Sequence, residues 1–201
     1  FIKQKYPSLS VSLFGHSFGS ILARLYLQQH DHDVNAVALT GTTNYVPIVP
    51  VGLMIGRLFL TIFPETAKWS YLSKISGLAP GDHEWLSYNP ENIQKVTNDP
   101  LMMDEYPVRS LQTLWQGDFA LKQTRRFECH NPNLPILSLV GADDKFSGGE
   151  KGLADTLSTL KKIGYRHVKS IREPHMKHEV LQETKRQVVF NRLLTFFERH
   201  Q

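Results

Sequence analysis

The chain has 201 residues, 41% of them hydrophobic and 21% charged, which supplies a real core for one soluble domain. Its net charge of +4 is scattered, with no dense Lys/Arg run; this argues against nucleic-acid binding and leaves at most a weak attraction to an anionic membrane surface. The lone Cys129 excludes an internal disulfide and a cysteine-built zinc cluster, and with no signal peptide in view the expected compartment is the cytoplasm.

Phe1 to Tyr6 reads as the tail of a helix broken at Pro7, as though more chain came before it. Leu9 to Phe14 predicts a strand, and the spacing of Phe18, Ile21, Leu22 and Leu25 predicts a helix reaching about Gln29, before the polar cluster His30-Asp31-His32-Asp33. Between strand and helix lies Gly15-His16-Ser17-Phe18-Gly19, a G-x-S-x-G pattern. In that context it predicts a strained elbow with the Ser17 hydroxyl standing clear at its apex. Gly15 and Gly19 would face each other across the turn, where side chains would collide. The Phe18 N–H, at the positive end of the helix, is the natural donor to an oxyanion. His16 is expected to point away from the apex and pack.

Val34 to Gly41 predicts a buried parallel strand, completing strand, crossover helix and strand. The pattern then changes. Pro47 to Phe63 is apolar over 17 residues but contains Gly52, Gly56 and Arg57. As a helix it would span roughly 25 Å, short of a hydrocarbon core of roughly 30 Å, so it predicts a helical cap over an apolar pocket rather than a membrane span. The region from Trp69 to Gln123 reads as further helices cut by prolines, with Trp85, Tyr106, Trp115 and Phe119 expected to pack the cap.

Regular pattern returns with a strand at Leu134 to Gly141, a helix at Lys151 to Ile163 stopped by Gly164, a strand at His167 to Ile171 and a final helix from about Thr184 to Arg199. The prediction is an α/β fold, a doubly wound, mostly parallel sheet, with residues 1–43 and 131–201 as core and 44–130 as a helical lid.

A nucleophile at Ser17 needs a base and an acid. In a parallel sheet, loops following the strands converge on one edge. Two such loops carry Asp143-Asp144 and, further on, His175 and His178. The expected roles are nucleophile for Ser17, base for His178 and orienting acid for Asp144, with Asp143 and His175 as rivals. No metal and no cofactor are expected: these carboxylates and histidines lack metal-ligand spacing.

At these residues the chain resembles the α/β-hydrolase superfamily, and within it the monoacylglycerol lipase and lysophospholipase group that also bears the serine aminopeptidase name. The resemblance rests on Gly15-His16-Ser17-Phe18-Gly19-Ser20, Gly141-Ala142-Asp143-Asp144 and Met176-Lys177-His178-Glu179-Val180-Leu181-Gln182-Glu183, with weaker similarity at Trp85-Leu86-Ser87 and Asn98-Asp99-Pro100-Leu101. The histidine segment is the more specific piece, and the resemblance favours Asp144 over Asp143 as the acid. It implies a serine hydrolase cleaving carboxylic esters of small lipid-like substrates, a monoacylglycerol or a lysophospholipid. Members of the group also carry strands before the elbow and a loop supplying a second oxyanion N–H, and residues 1–14 match neither. The chain therefore reads as the C-terminal part of a hydrolase. An aminopeptidase or amidase of the same fold, and a truncated non-catalytic scaffold, are the competing readings.

Overall fold

The computed structural model describes residues 1–201. A short helix α1 (Ile2–Lys5) precedes β1 (Ser12–His16), α2 (Phe18–His30) and β2 (Ala36–Thr40). Four helices follow before the sheet resumes: α3 (Val49–Ile62), α4 (Ser70–Ile75), α5 (Pro90–Thr97) and α6 (Val108–Leu121). The chain closes with β3 (Ile136–Gly141), α7 (Gly149–Ile163), β4 (Val168–Glu173) and α8 (Arg186–Glu198).

The four strands form one parallel sheet in the order β1-β2-β3-β4. The central strands are buried on both faces, as the unbroken apolar runs require. Val37, Leu39 and Ile136 face one way, onto Leu27 of α2 and Leu160 of α7. Ala38, Leu137 and Leu139 face the other way, onto Val189 and Leu193 of α8. Helices on both faces make the sheet doubly wound, as the sequence predicts. β1 is an edge strand, and Phe14 on it is 42% exposed.

Three expected boundaries shift for local reasons. β1 begins at Ser12 rather than Leu9 because the Asn35 side chain takes up the Val11 N–H, and it runs on to His16, which pairs with Thr40. β3 begins after Pro135, which has no N–H to give the ladder, though its carbonyl accepts the Val37 N–H. β4 runs to Glu173, opposite Gly141, carrying the chain to the level of the acid loop.

Between β2 and β3, helices α3 and α6 pack closely through small residues: a Cβ on Gly56 would run into the Gln112 side chain, and one on Gly52 would lie 3.1 Å from the Trp115 ring. Gln112 Nε2 donates to the Gly52 carbonyl at 3.0 Å, pinning the pair. α6 also rests on α2, where Gly117 leaves room for Ile21. No helix is long and apolar enough to cross a membrane.

Candidate active site

Ser17 occupies the turn between β1 and α2 with φ 53° and ψ −120°, a conformation L-residues rarely adopt. Two things hold it there. The Ser17 N–H donates to the Thr40 carbonyl at 3.0 Å, fixing the elbow to the neighbouring strand, and the Ser20 hydroxyl donates back to the Ser17 carbonyl at 2.7 Å. Only one of the two flanking glycines answers the expected steric demand. A Cβ on Gly15 would overlap the Gly19 carbonyl, whereas one on Gly19 would meet nothing within 4 Å. The crowding is between the residue-15 side chain and the helix backbone, not between two side chains.

The three residues expected to work together converge at the carboxyl edge of the sheet. His178 Nε2 lies 2.8 Å from Ser17 Oγ, and His178 Nδ1 lies 3.1 Å from each carboxylate oxygen of Asp144. A carboxylate only accepts, so Nδ1 carries the proton and Nε2 is free to accept the Ser17 hydroxyl. His178 and Asp144 are buried. The Phe146 N–H donates to Asp144 Oδ1 at 2.9 Å and holds the carboxylate toward the imidazole. The rivals stand aside: Asp143 is exposed and accepts from the Tyr88 hydroxyl at 3.3 Å, and His175 is exposed at a positive-φ corner of the histidine loop. Phe18 is the first residue of α2, so its N–H has no partner within the helix and sits beside the Ser17 hydroxyl.

Several supporting residues carry no sequence signal. Gly41 follows β2 with φ +54°, and a Cβ there would lie 2.9 Å from His178 Cε1 and 3.1 Å from His16 Cε1. Its bareness lets both rings sit over the strand end. His16, expected to face away, instead places its ring 5.2 Å from that of His178 and its Nδ1 3.0 Å from the Thr40 hydroxyl. Burial, helped by the adjacent His178 and opposed by Asp144, pushes the His16 imidazole down to about 4. It therefore stays neutral when His178 takes up a proton. Trp85 and Phe146, centred 5.0 Å and 5.5 Å from the His178 ring, wall that imidazole from water, so Trp85 does more than pack the inserted helices.

The loop bearing His178 is fastened from both sides. A Cβ on Gly141 would strike the carbonyls of Met176 and Lys177, so the loop lies directly on the end of β3. Buried Glu183 accepts the Lys177 N–H at 2.8 Å and the Tyr88 N–H at 3.0 Å. The Glu179 N–H donates to the Leu86 carbonyl at 2.7 Å, and the Glu179 carboxylate accepts from the Asn92 side chain at 2.6 Å. The segment Leu86–Asn92 and the histidine loop are thus stitched into one unit.

Ser17 and His178 open into a cavity of about 430 Å³ lined mainly by apolar side chains of α3, α4 and α6, among them Val49, Ile55, Leu72 and Trp115. Asp118 is the one carboxylate on its wall. Burial raises Asp118 to about 6 against the pull of Arg24 and Lys122, and burial lowers Arg24 to about 10. A larger open groove of about 1000 Å³, between β4 and α8, contains none of these groups.

Residues 1–185 match the family model described as serine aminopeptidase, S33. No curated protein matches the sequence. Among solved structures, a carboxyl esterase from Bacillus coagulans is similar over 99% of this chain and 67% of its own, at 23% identity and TM-score 0.84. The monoacylglycerol lipase of Paleococcus ferrophilus is similar over 94% and 68%, at 19% identity and TM-score 0.67. A monoglyceride lipase of Saccharomyces cerevisiae is similar over 98% and 64%, at 15% identity and TM-score 0.72. The chain spans about two thirds of the length of these structures.

Proposed function

The chain belongs to the serine aminopeptidase S33 family of α/β hydrolases, and from that premise we propose that it carries the nucleophile, base and acid of a serine hydrolase acting on carboxylic esters with an apolar acyl group. The observation that carries this reading is the continuous relay from Asp144 through His178 to Ser17, which opens directly into an apolar cavity. As Ser17 Oγ attacks the ester carbonyl carbon, its proton passes to His178 Nε2, and Asp144 stabilises the resulting imidazolium. The carbonyl oxygen takes up the negative charge facing the Phe18 N–H. Collapse breaks the bond to the alcohol, which leaves with the proton from His178. Water, deprotonated by the same imidazole, then releases the acid from Ser17.

Residues 44–130 act in this reading as a lid whose inner side holds the acyl chain. The outward side of α3 exposes Met54, Leu58 and Ile62, which suits contact with a lipid aggregate. A monoacylglycerol or lysophospholipid satisfies both features. Asp118 supports a second reading, an aminopeptidase whose substrate amine would meet that carboxylate. Arg24 and Lys122 already oppose its charge, which favours the ester.

The test is made on the intact protein. A fluorophosphonate probe should label it and fail to label Ser17→Ala, and p-nitrophenyl butyrate should turn over faster than an aminoacyl-anilide. Absence of labelling in well-folded protein would refute the reading, and faster anilide turnover would move it to the peptidase.

A further inference from the structure

At the opposite edge of the sheet from Ser17, the end of α2 meets the segment leading into β3. Asp31 and His32 come from the first, His130 from the second. The Asp31 side chain is fully buried. Its Oδ2 accepts the Asn131 N–H at 2.9 Å and the Tyr165 hydroxyl at 3.3 Å. Its Oδ1 has no hydrogen-bond partner at all, an arrangement a buried carboxylate oxygen does not tolerate without a compensating positive charge.

Two imidazole nitrogens face that orphan oxygen. His130 Nδ1 lies 3.6 Å and His32 Nδ1 3.8 Å from Asp31 Oδ1, and the three ligand atoms lie within 4.8 Å of one another. Both are too far for good hydrogen bonds. In a tetrahedral zinc site with ligands at about 2.0–2.1 Å, neighbouring ligand atoms stand about 3.3 Å apart. The two half-exposed rings need to close by only a few tenths of an ångström on the Asp31 side. The far side of each ring is also provided for: His130 Nε2 lies 3.7 Å from a Glu128 carboxylate oxygen and His32 Nε2 4.0 Å from one of Asp33. At these distances neither carboxylate hydrogen-bonds its ring; each instead places negative charge close to the cluster, which favours a bound cation. Cys129 turns away, against Gly164, and takes no part.

We propose that Asp31 Oδ1, His32 Nδ1 and His130 Nδ1 bind a divalent transition-metal ion, with Zn²⁺ the best match to two imidazoles and one carboxylate, and water in the remaining position. The site lies across the sheet from the triad, so its role is to tie the end of α2 to the approach to β3, closing the long excursion through the inserted helices.

The experiment is calorimetric titration of the intact, chelator-stripped protein with Zn²⁺ alone, beside thermal melts with and without the ion. One equivalent should bind at micromolar or tighter affinity and raise the melting temperature by several degrees. His32→Gln and His130→Gln sit at exposed positions and should fold normally, yet each should weaken binding at least tenfold and remove the thermal shift. Co²⁺ should give visible bands of a four-coordinate ion in the parent protein and lose them in the double variant. Fluorophosphonate labelling of Ser17 should be unaffected by chelator or by either variant, which keeps this outcome separate from the proposed hydrolase activity. No binding in the micromolar range, or binding unchanged in the double variant, overturns the site.

Discussion

Gly41→Ala isolates the packing that positions His178, the proposed base. The added methyl would lie 2.9 Å from His178 Cε1, where carbon atoms normally stand about 3.5–4.0 Å apart, so the imidazole must retreat by roughly 0.6 Å or more. That displacement must be absorbed by the 2.8 Å bond to Ser17 or the 3.1 Å bonds to Asp144. A misplacement of about 1 Å costs about 10²-fold in rate, which sets the expected fall in kcat at about 10- to 100-fold. Alanine at φ +54° adds roughly 1–2 kcal/mol of backbone strain, or a few degrees in Tm for a chain of this size. Gly81→Ala is the matched control: φ is +70° and its methyl would meet nothing within 4 Å. Ester turnover and thermal melts of both variants in the intact protein separate the two effects. The control should show the loss in Tm alone. Equal turnover in the two variants would refute the claim that ring crowding over residue 41 sets the histidine.

Asp144→Asn should lower kcat by about 10⁴-fold with little change in KM, since the amide favours the wrong imidazole tautomer; a stopped-flow acylation assay reads it. Glu183→Ala leaves the Lys177 and Tyr88 N–H groups without an acceptor, and should reduce stability by about 1–3 kcal/mol in denaturant titrations while lowering kcat more than KM changes. His16 has a folded pKa of about 4, below the ordinary 6.5. Its contribution to stability is therefore complete above pH 6.5 and is lost as pH falls through 4, by about 3 kcal/mol at most. Asp118, raised to about 6, works in the opposite sense: the folded state holds its proton more tightly, so its contribution is present below 3.8 and lost as pH rises through 6. His16→Gln should abolish the acid-side loss between pH 6.5 and 4 in a series of melts, leaving the Asp118 limb to make the variant relatively more stable in acid.

What the sequence made legible was whatever repeats a period or obeys a motif. The apolar runs at 34–41 and 134–141 announced buried parallel strands, and the elbow with its two downstream loops pointed to Ser17, Asp144 and His178, which the fold brings together. Choosing Asp144 over Asp143 took the resemblance, because adjacent aspartates differ only in which one the turn after Gly141 directs inward. The roles of His16, Gly41 and Trp85 were not legible. Each depends on a contact between elements far apart in the chain, and a lone histidine, glycine or tryptophan carries no periodic signal. His30-Asp31-His32-Asp33 read as a polar helix end for the same reason: its partner, His130, lies about a hundred residues away, across the inserted helices.

Under the proposed ester-hydrolase reading, the stitching of residues 86–92 to the histidine loop bears on substrate size. Trp85 lines the cavity, and its chain neighbour Leu86 holds the Glu179 N–H, one residue past His178. A guest that overfills the cavity would press on the indole and drag the imidazole out of line. Oversized molecules would then enter and be held, yet react slowly, so selection by size would be written in the speed of the chemical step rather than in the strength of the grip.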